Sequence, residues 1–300
     1  MRIATTQYQA TMNRSLELNQ TMTSRLTQQM ATGKSIIVPS DDPVTNVRIS
    51  RLTREEAIVG QYRENIGAVK IRLTKNESYL SGMVGDLGAA HDLLVWAADG
   101  SNTPDDLKSM VNSLEALRDS VLYNANTRDQ EGKYIFSGTE TTKPPIVLDT
   151  DGVTYKFDGN TKEQKVVVGN GITQTVNVDV GGVETLLNDL NTAIDALKNT
   201  TTDSSHDPLK SILSNAMGSV EATQEMLSGK IAKFGGAQNV LTTLDGNHAN
   251  VSLSNRTAMH DLGALDYGVA SSELAGYNMA LQASYQSYAK ISNLSLFSVL

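Results

Sequence analysis

The stretch 263–300 constrains this chain more than any other. Taken at alternating steps of three and four, it places Tyr267, Ala270, Leu274, Tyr277, Leu281, Ser284, Tyr288 and Ile291 on one line. That alternation is a heptad seam, the pattern of a helix lying along another helix. No proline follows Pro208, and only Gly263, Gly268 and Gly276 weaken the early turns. A helix over 266–294 would be roughly 40 Å long at 1.5 Å per residue. Its polar faces carry few charges, and an isolated helix of this kind is not stable in water. Leu294, Leu296, Phe297, Val299 and Leu300 continue the apolar character to the last residue. Chain ends are normally polar or frayed, so this one is expected to finish its fold inside an assembly. A helix docked on the protein's own body is the plainer alternative.

Composition fits elongated helices better than one thick core. Of 300 residues, 39% are hydrophobic and 5% aromatic, with Trp96 the single tryptophan. The net charge of −8 is uneven: residues 1–75 hold 11 basic and 6 acidic side chains, a balance of +5. Residues 76–300 hold 14 and 27, a balance of −13. An acidic chain of this kind is a poor nucleic-acid binder. The absence of cysteine excludes disulfides, thiolate metal sites and thiol nucleophiles. The start, Met1-Arg2-Ile3-Ala4-Thr5-Thr6-Gln7, lacks the apolar stretch of a secretory leader, and no run suits a membrane span. The expectation is a chain that leaves the cytoplasm, if it does, by another route.

Along the chain, Met12, Leu16, Leu18, Met22, Leu26 and Met30 form an apolar stripe that predicts a helix over 8–32, with Gly33 as its C-terminal cap. Pro39 and Pro43 bracket a break, and Ser40 or Asp42 can cap the next helix. Residues 44–97 read as a long helix thinned by Gly82, Gly85 and Gly88. Thr103 can cap a helix beginning at Pro104. From Gly138 to Gly182 the character changes: Pro144-Pro145 is followed by the alternating runs 153–157, 164–168 and 173–178, which predict strands separated by turns. Helix resumes over 183–197, pauses over 199–208, and continues from Leu209 toward Val251 with an interruption at Gly235-Gly236. The predicted fold is mainly α: long helices from both termini packed as a coiled-coil bundle, with a small β-rich domain inserted mid-chain. The divisions are an N-terminal axial helix over 1–40 pairing with 263–300, a helical rod over 41–137, the insert over 138–182, and a second rod part over 183–262.

Catalytic constellations fail in turn. His91, His206, His248 and His260 are scattered, none with a second ligand at zinc spacing. Asp149-Thr150-Asp151-Gly152 opens like a calcium loop, but the twelfth position is Asn160, so a hairpin turn is the better reading. Gly169-Asn170-Gly171 leads into a strand instead of the helix a phosphate loop requires. Tyr277, Tyr285 and Tyr288 read as seam packing before they read as a ligand box. No enzyme, cofactor or metal site is expected.

Three stretches resemble the flagellar axial proteins. Arg25-Leu26-Thr27, Ala31-Thr32-Gly33-Lys34 and Ile36, followed by Pro39-Ser40-Asp41-Asp42-Pro43, are similar to that family's first helix-to-helix junction. Flagellins usually carry Asp-Asp-Ala-Ala there, and the Asp-Asp-Pro of this chain is more similar to the hook–filament junction family, hook-associated protein 3. Tyr134-Ile135-Phe136-Ser137-Gly138-Thr139 and Ala280-Leu281-Gln282-Ala283-Ser284-Tyr285, leading to Leu294-Ser295-Leu296-Phe297, complete the likeness. The resemblance implies termini that form an inner coiled-coil layer, an outward-facing insert, and export unfolded through the flagellar type III apparatus. It implies an extracellular place in the flagellum, in a ring of copies with hook-associated protein 1 on the hook side and flagellin on the filament side. It also implies an export chaperone on the C-terminal region, and no nucleic acid or membrane partner.

The residues expected to carry assembly are Met12, Leu16, Leu26 and Met30 from the first helix. From the last come Tyr267, Leu274, Tyr277, Leu281, Tyr288, Ile291, Leu294, Leu296 and Phe297. Three other readings stay open: a flagellin, a helical signalling protein, and an adhesive or carbohydrate-binding role for the insert.

Overall fold

The computed structural model describes residues 2–201 and 207–297, with side chains for 7–201 and 208–290. Among these residues the chain is mainly α, with two small antiparallel hairpins inserted between helices. The elements in order are α1 (Arg2–Thr32), α2 (Pro43–Ala97), α3 (Pro104–Ala125), β1 (Ile146–Leu148), β2 (Tyr155–Phe157), β3 (Lys165–Gly169), β4 (Ile172–Thr175), α4 (Val183–Lys198), α5 (Asp207–Gly263) and α6 (Tyr267–Phe297). They form two compact units. One comprises residues 1–58 and 250–300, the other Val59–Ala249, and α2 and α5 contribute to both.

The second unit holds the core. Within α2, Val59, Ile66, Val69, Leu73, Asn76, Leu80, Met83, Leu87, Ala90, Leu94 and Ala97 are all buried. Their spacing is a strict alternation of three and four, broken only at the half-buried Tyr62. In α5, Leu213, Val220, Leu227, Phe234 and Leu241 recur every seven residues and are likewise buried. The two stripes meet antiparallel. Arg63 pairs with Asp245 at 2.9 Å, Lys70 Nζ donates to Thr242 Oγ1 at 3.0 Å, and Gln238 Nε2 donates to Glu77 at 2.8 Å. Farther along, His91 lies 3.2 Å from Glu221. Helices α3 and α4 pack together, joined by Arg118 to Asn191 and Lys198 to Glu115.

Helix α3 starts as its sequence predicts: Thr103 and Asp106 form a reciprocal capping box with Pro104 in the first turn. The hairpins depart from expectation in three ways. Ile146–Leu148, three residues after a proline pair, forms a strand that the alternation rule did not find, and it pairs with β2 in the register Ile146↔Phe157. Val153 and Thr154 belong to the turn, because Asp151 binds both of their N–H groups. Residues 176–178 lie beyond β4.

Two helix readings are corrected as well. The Gly235-Gly236 pair does not interrupt α5, since Phe234 and Leu241 keep the buried stripe in phase across it. The helix also runs on past Val251 to Gly263, and its start takes in Asp207 and Pro208. A proline in the first turn gives up no helical hydrogen bond.

In the first unit α6 begins beside the end of α1 and packs along it. Threonines that would otherwise compete with the backbone are accommodated in α1: the hydroxyls of Thr11, Thr21, Thr23 and Thr27 each donate to the carbonyl four residues back.

Candidate assembly interface

The α1–α6 pair is held at one end by a backbone tie. Gly33 closes α1 at φ +69°, the left-handed conformation of a helix cap. Ser35 N–H then donates to the Gly263 carbonyl at 2.9 Å, and Leu265 N–H to the Gly33 carbonyl at 3.0 Å. Tyr267 Oη adds a bond to the Met30 carbonyl at 3.0 Å. The last turn of α1 is therefore stitched to the segment between α5 and α6. A largely apolar recess of about 710 Å3 lies beside the stitch, lined by Ile36, Ile49, Met259 and Tyr267 among others.

The loop from α1 to α2 is organised by two carboxylates. Asp41 accepts from the N–H groups of Ile37 and Val38 and pairs with Arg25 at 2.9 Å. Those backbone donors, with Arg25 adding to them, hold its carboxyl below the usual range. Asp42 caps α2, accepting from Val44 N–H, Thr45 N–H and the Thr45 hydroxyl. The Thr45 hydroxyl and N–H hold its pKa down. Of the two caps expected, Asp42 takes the role.

Of the seam residues, Leu26 is buried and Met12, Leu16, Met30, Leu274, Tyr277 and Leu281 are half-buried. Tyr267 and Tyr288 are exposed, the former tied through its hydroxyl. The side chains of Ile291, Leu294, Leu296 and Phe297 lie outside the described residues. Ala270, a small residue within the seam line, is the most buried of the described side chains on α6, and Gln29 of α1 is buried with its amide donating to the Ser35 carbonyl. Sequence reasoning chose the large residues, whereas two helices approach most closely over small ones. Leu18, read as part of the α1 stripe, and Tyr285, read as seam packing, stand exposed, as do Tyr8, Val269 and Met279, which spacing does not flag.

Among the described side chains of this unit, only Leu26, Gln29, Ser252, Asn255 and Ala270 are buried. Two helices alone cannot enclose a seam, and the half-buried apolar line and the exposed aromatics are what a second layer of packing would cover. Among the described residues no cluster of three His, Asp or Glu could hold a metal, and no helix is long and apolar enough to cross a membrane. His248 has an ordinary packing role, its ring against Tyr62 and Nε2 2.9 Å from the Val168 carbonyl.

Terminal helices that pair with each other yet stay half-covered, in a chain whose other unit buries a complete core, define the class: a long-helix protein whose terminal pair leaves an apolar line open. Comparison with known proteins shows what that class resembles. The family model for the bacterial flagellin N-terminal helical region matches residues 3–141. Flagellar hook-associated protein 3 of Escherichia coli is 28% identical over 90% of both chains, and that of Salmonella typhimurium 28% identical over 91% of both. A solved flagellar hook-associated protein of Vibrio parahaemolyticus superposes with a TM-score of 0.69 at 27% identity, covering 75% of this chain and 100% of its own. The flagellar junction protein FlgL of Legionella pneumophila shares the fold, with a TM-score of 0.59 at 14% identity, covering 71% of this chain and 100% of its own. Over nine-tenths of its length the chain is thus similar to flagellar hook-associated proteins.

Proposed function

We propose that the chain is a structural subunit of the flagellum at the junction of hook and filament, where copies assemble through their terminal helices. The carrying observation is the contrast between the two units. The body from Val59 to Ala249 buries a continuous core, while the unit containing α1 and α6 leaves its seam half-exposed. Relatives named hook-associated protein 3, alignable over nine-tenths of the chain, support the junction over other sites in the flagellum. In this reading the role is structural and not catalytic. The partners are further copies of the chain, hook-associated protein 1 toward the hook and flagellin toward the filament. The chain reaches them by the flagellar export route, with a chaperone covering its C-terminal region beforehand.

The seam is tested with Leu281→Asp. The charge would enter a half-buried line of α6, which contributes no residue to the body's core, so secondary structure and the core's unfolding midpoint are expected to persist while incorporation into flagella is lost. Normal incorporation of the variant would remove the seam from the proposal. A filament subunit is the second reading, since the matched family model is that of flagellin. Abundance separates the two: a junction subunit is a minor band in sheared flagella, a flagellin the major one.

A further inference from the structure

Asn170-Gly171, the link between β3 and β4, is the only Asn-Gly pair in the chain. Asparagine is a chemically labile residue, and it is most so before glycine. The nitrogen of the next residue can attack the side-chain amide carbon, and glycine, without a Cβ, puts nothing in the way. Folded structure suppresses this attack in two ways. A helix commits the following N–H to a carbonyl one turn back, and a side-chain amide with its own hydrogen bonds is held off the backbone.

Asparagines within the helices meet the first restraint. Outside the helices stand Asn102, Asn126, Asn160, Asn170, Asn177 and Asn199. Asn102 donates to the Trp96 carbonyl, Asn126 to the Ile146 carbonyl, and Asn160 to the Thr139 hydroxyl. Asn177 bridges Gln164 and Lys162, and Asn199 donates to the Asp195 carbonyl. Among the described residues Asn170 alone of these six has a side chain with no hydrogen bond. It is exposed at the hairpin tip, beside Gly171 at φ +70°. The Gly171 N–H has no partner either, since the ladder closes at Gly169↔Ile172. A Cβ on Gly171 would meet nothing within 4 Å, so water and hydroxide reach the pair. Both restraints are missing at the one pair whose sequence most needs them.

We propose that Asn170 is the chain's site of spontaneous deamidation. The Gly171 nitrogen gives its proton to hydroxide and bonds to Asn170 Cγ, the bond from Cγ to Nδ2 breaks, and ammonia leaves. Water then opens the resulting succinimide at either carbonyl, giving aspartate or isoaspartate. Either product adds a negative charge to a chain of net charge −8, and isoaspartate lengthens the turn by a methylene. The change falls close to Val168, whose carbonyl faces His248, in a hairpin too short to be stable alone. The site is separate from the α1–α6 seam and does not depend on the assembly reading.

The test is incubation of the full-length chain in mildly alkaline buffer, folded and in denaturant, with peptide mass mapping over time. In the folded chain Asn170 is expected to convert before any other asparagine, as paired isoaspartate and aspartate products. Asn112, which precedes Ser113 within α3, should convert only in denaturant. Asn170→Gln, whose longer side chain closes the ring poorly, should lose the earliest product at an unchanged thermal midpoint. An Asn170 that stays an amide in the folded chain while converting in denaturant would overturn the proposal, since the turn would then protect it. So would earlier conversion of another asparagine in the folded chain, or survival of the earliest product in Asn170→Gln.

Discussion

Asparagine side chains do in this body what backbone does elsewhere. Asn126 accepts from Ile146 N–H and donates to its carbonyl, holding β1 to the end of α3. Asn188 does the same for Tyr155, holding β2 to α4, and Asn177 bridges Gln164 N–H and the Lys162 carbonyl. Hairpins of three to five residues are marginal alone, so these clamps fix them on the helices. Gly138 shows how tight the arrangement is. Its φ is +70°, and a Cβ there would sit 2.0 Å from the Asn160 carbonyl oxygen. Gly138→Ala is therefore expected to cost at least about 2 kcal/mol, adding left-handed strain to a backbone clash. An unshifted urea midpoint would refute this.

Asp151 carries a pH signature at the same scale. The Thr154 hydroxyl, then the Thr154 and Val153 N–H groups, lower its pKa to about 2. A depressed carboxyl stabilises the turn fully above the ordinary carboxylate range and loses that contribution as pH falls through the folded value. The β1–β2 turn should hold at pH 4 and loosen toward pH 2, with Thr154→Val moving the titration upward. Carboxyl carbon shifts followed by NMR read this directly, and an Asp151 midpoint near 3.8 in the intact chain would contradict it.

Among elements, the two long antiparallel helices show what periodicity can and cannot deliver. The heptads of 59–97 and 213–241 were open to reading from spacing; α2 lies where sequence reasoning placed it, whereas α5 was read as broken at Gly235-Gly236 and runs unbroken to Gly263. Attention to the C-terminal seam hid how much cleaner the interior stripes are. Glycine pairs misled: Gly235 and Gly236 cost helix propensity, yet the buried Phe234 and Leu241 on either side hold the helix through them. Nothing lies within 4 Å of a Cβ at Gly236. Gly236→Ala is expected to stabilise the purified chain by about 0.5–1 kcal/mol, and a lowered thermal midpoint would show that the glycine answers a need within the chain. Strand β1 was missed because three residues give alternation too little to work with, and its pairing rests on Asn126. The half-buried line of large side chains on α1 and α6 was legible from spacing, as were the exposed Leu18 and Tyr285. Tyr8, Val269 and Met279 were not, because an outward apolar residue has no period within its own chain.

For the molecule as a whole, the uneven burial predicts uneven resistance. Limited proteolysis of the purified chain should clip near residues 35–45 and 255–270 and leave a core spanning most of Val59–Ala249. Local opening costs least where few apolar contacts must be broken. Ends that survive as long as the core under mass spectrometry would mean that α1 and α6 are complete without neighbours.

The antiparallel pairing of α2 and α5 also bears on how such a body changes size. Its two long helices run side by side like the rails of a ladder, linked by rungs at Arg63–Asp245, Lys70–Thr242 and Glu77–Gln238. Seven residues added to both rails at matching heights would insert one more rung and leave every other in register. Four added to one rail alone would shear the rungs beyond it. A matched pair of heptad insertions should yield a folded chain with its unfolding cooperativity kept, and the single insertion should not. A length reset by whole repeats gives this architecture a way to vary its reach while its ends keep their fit.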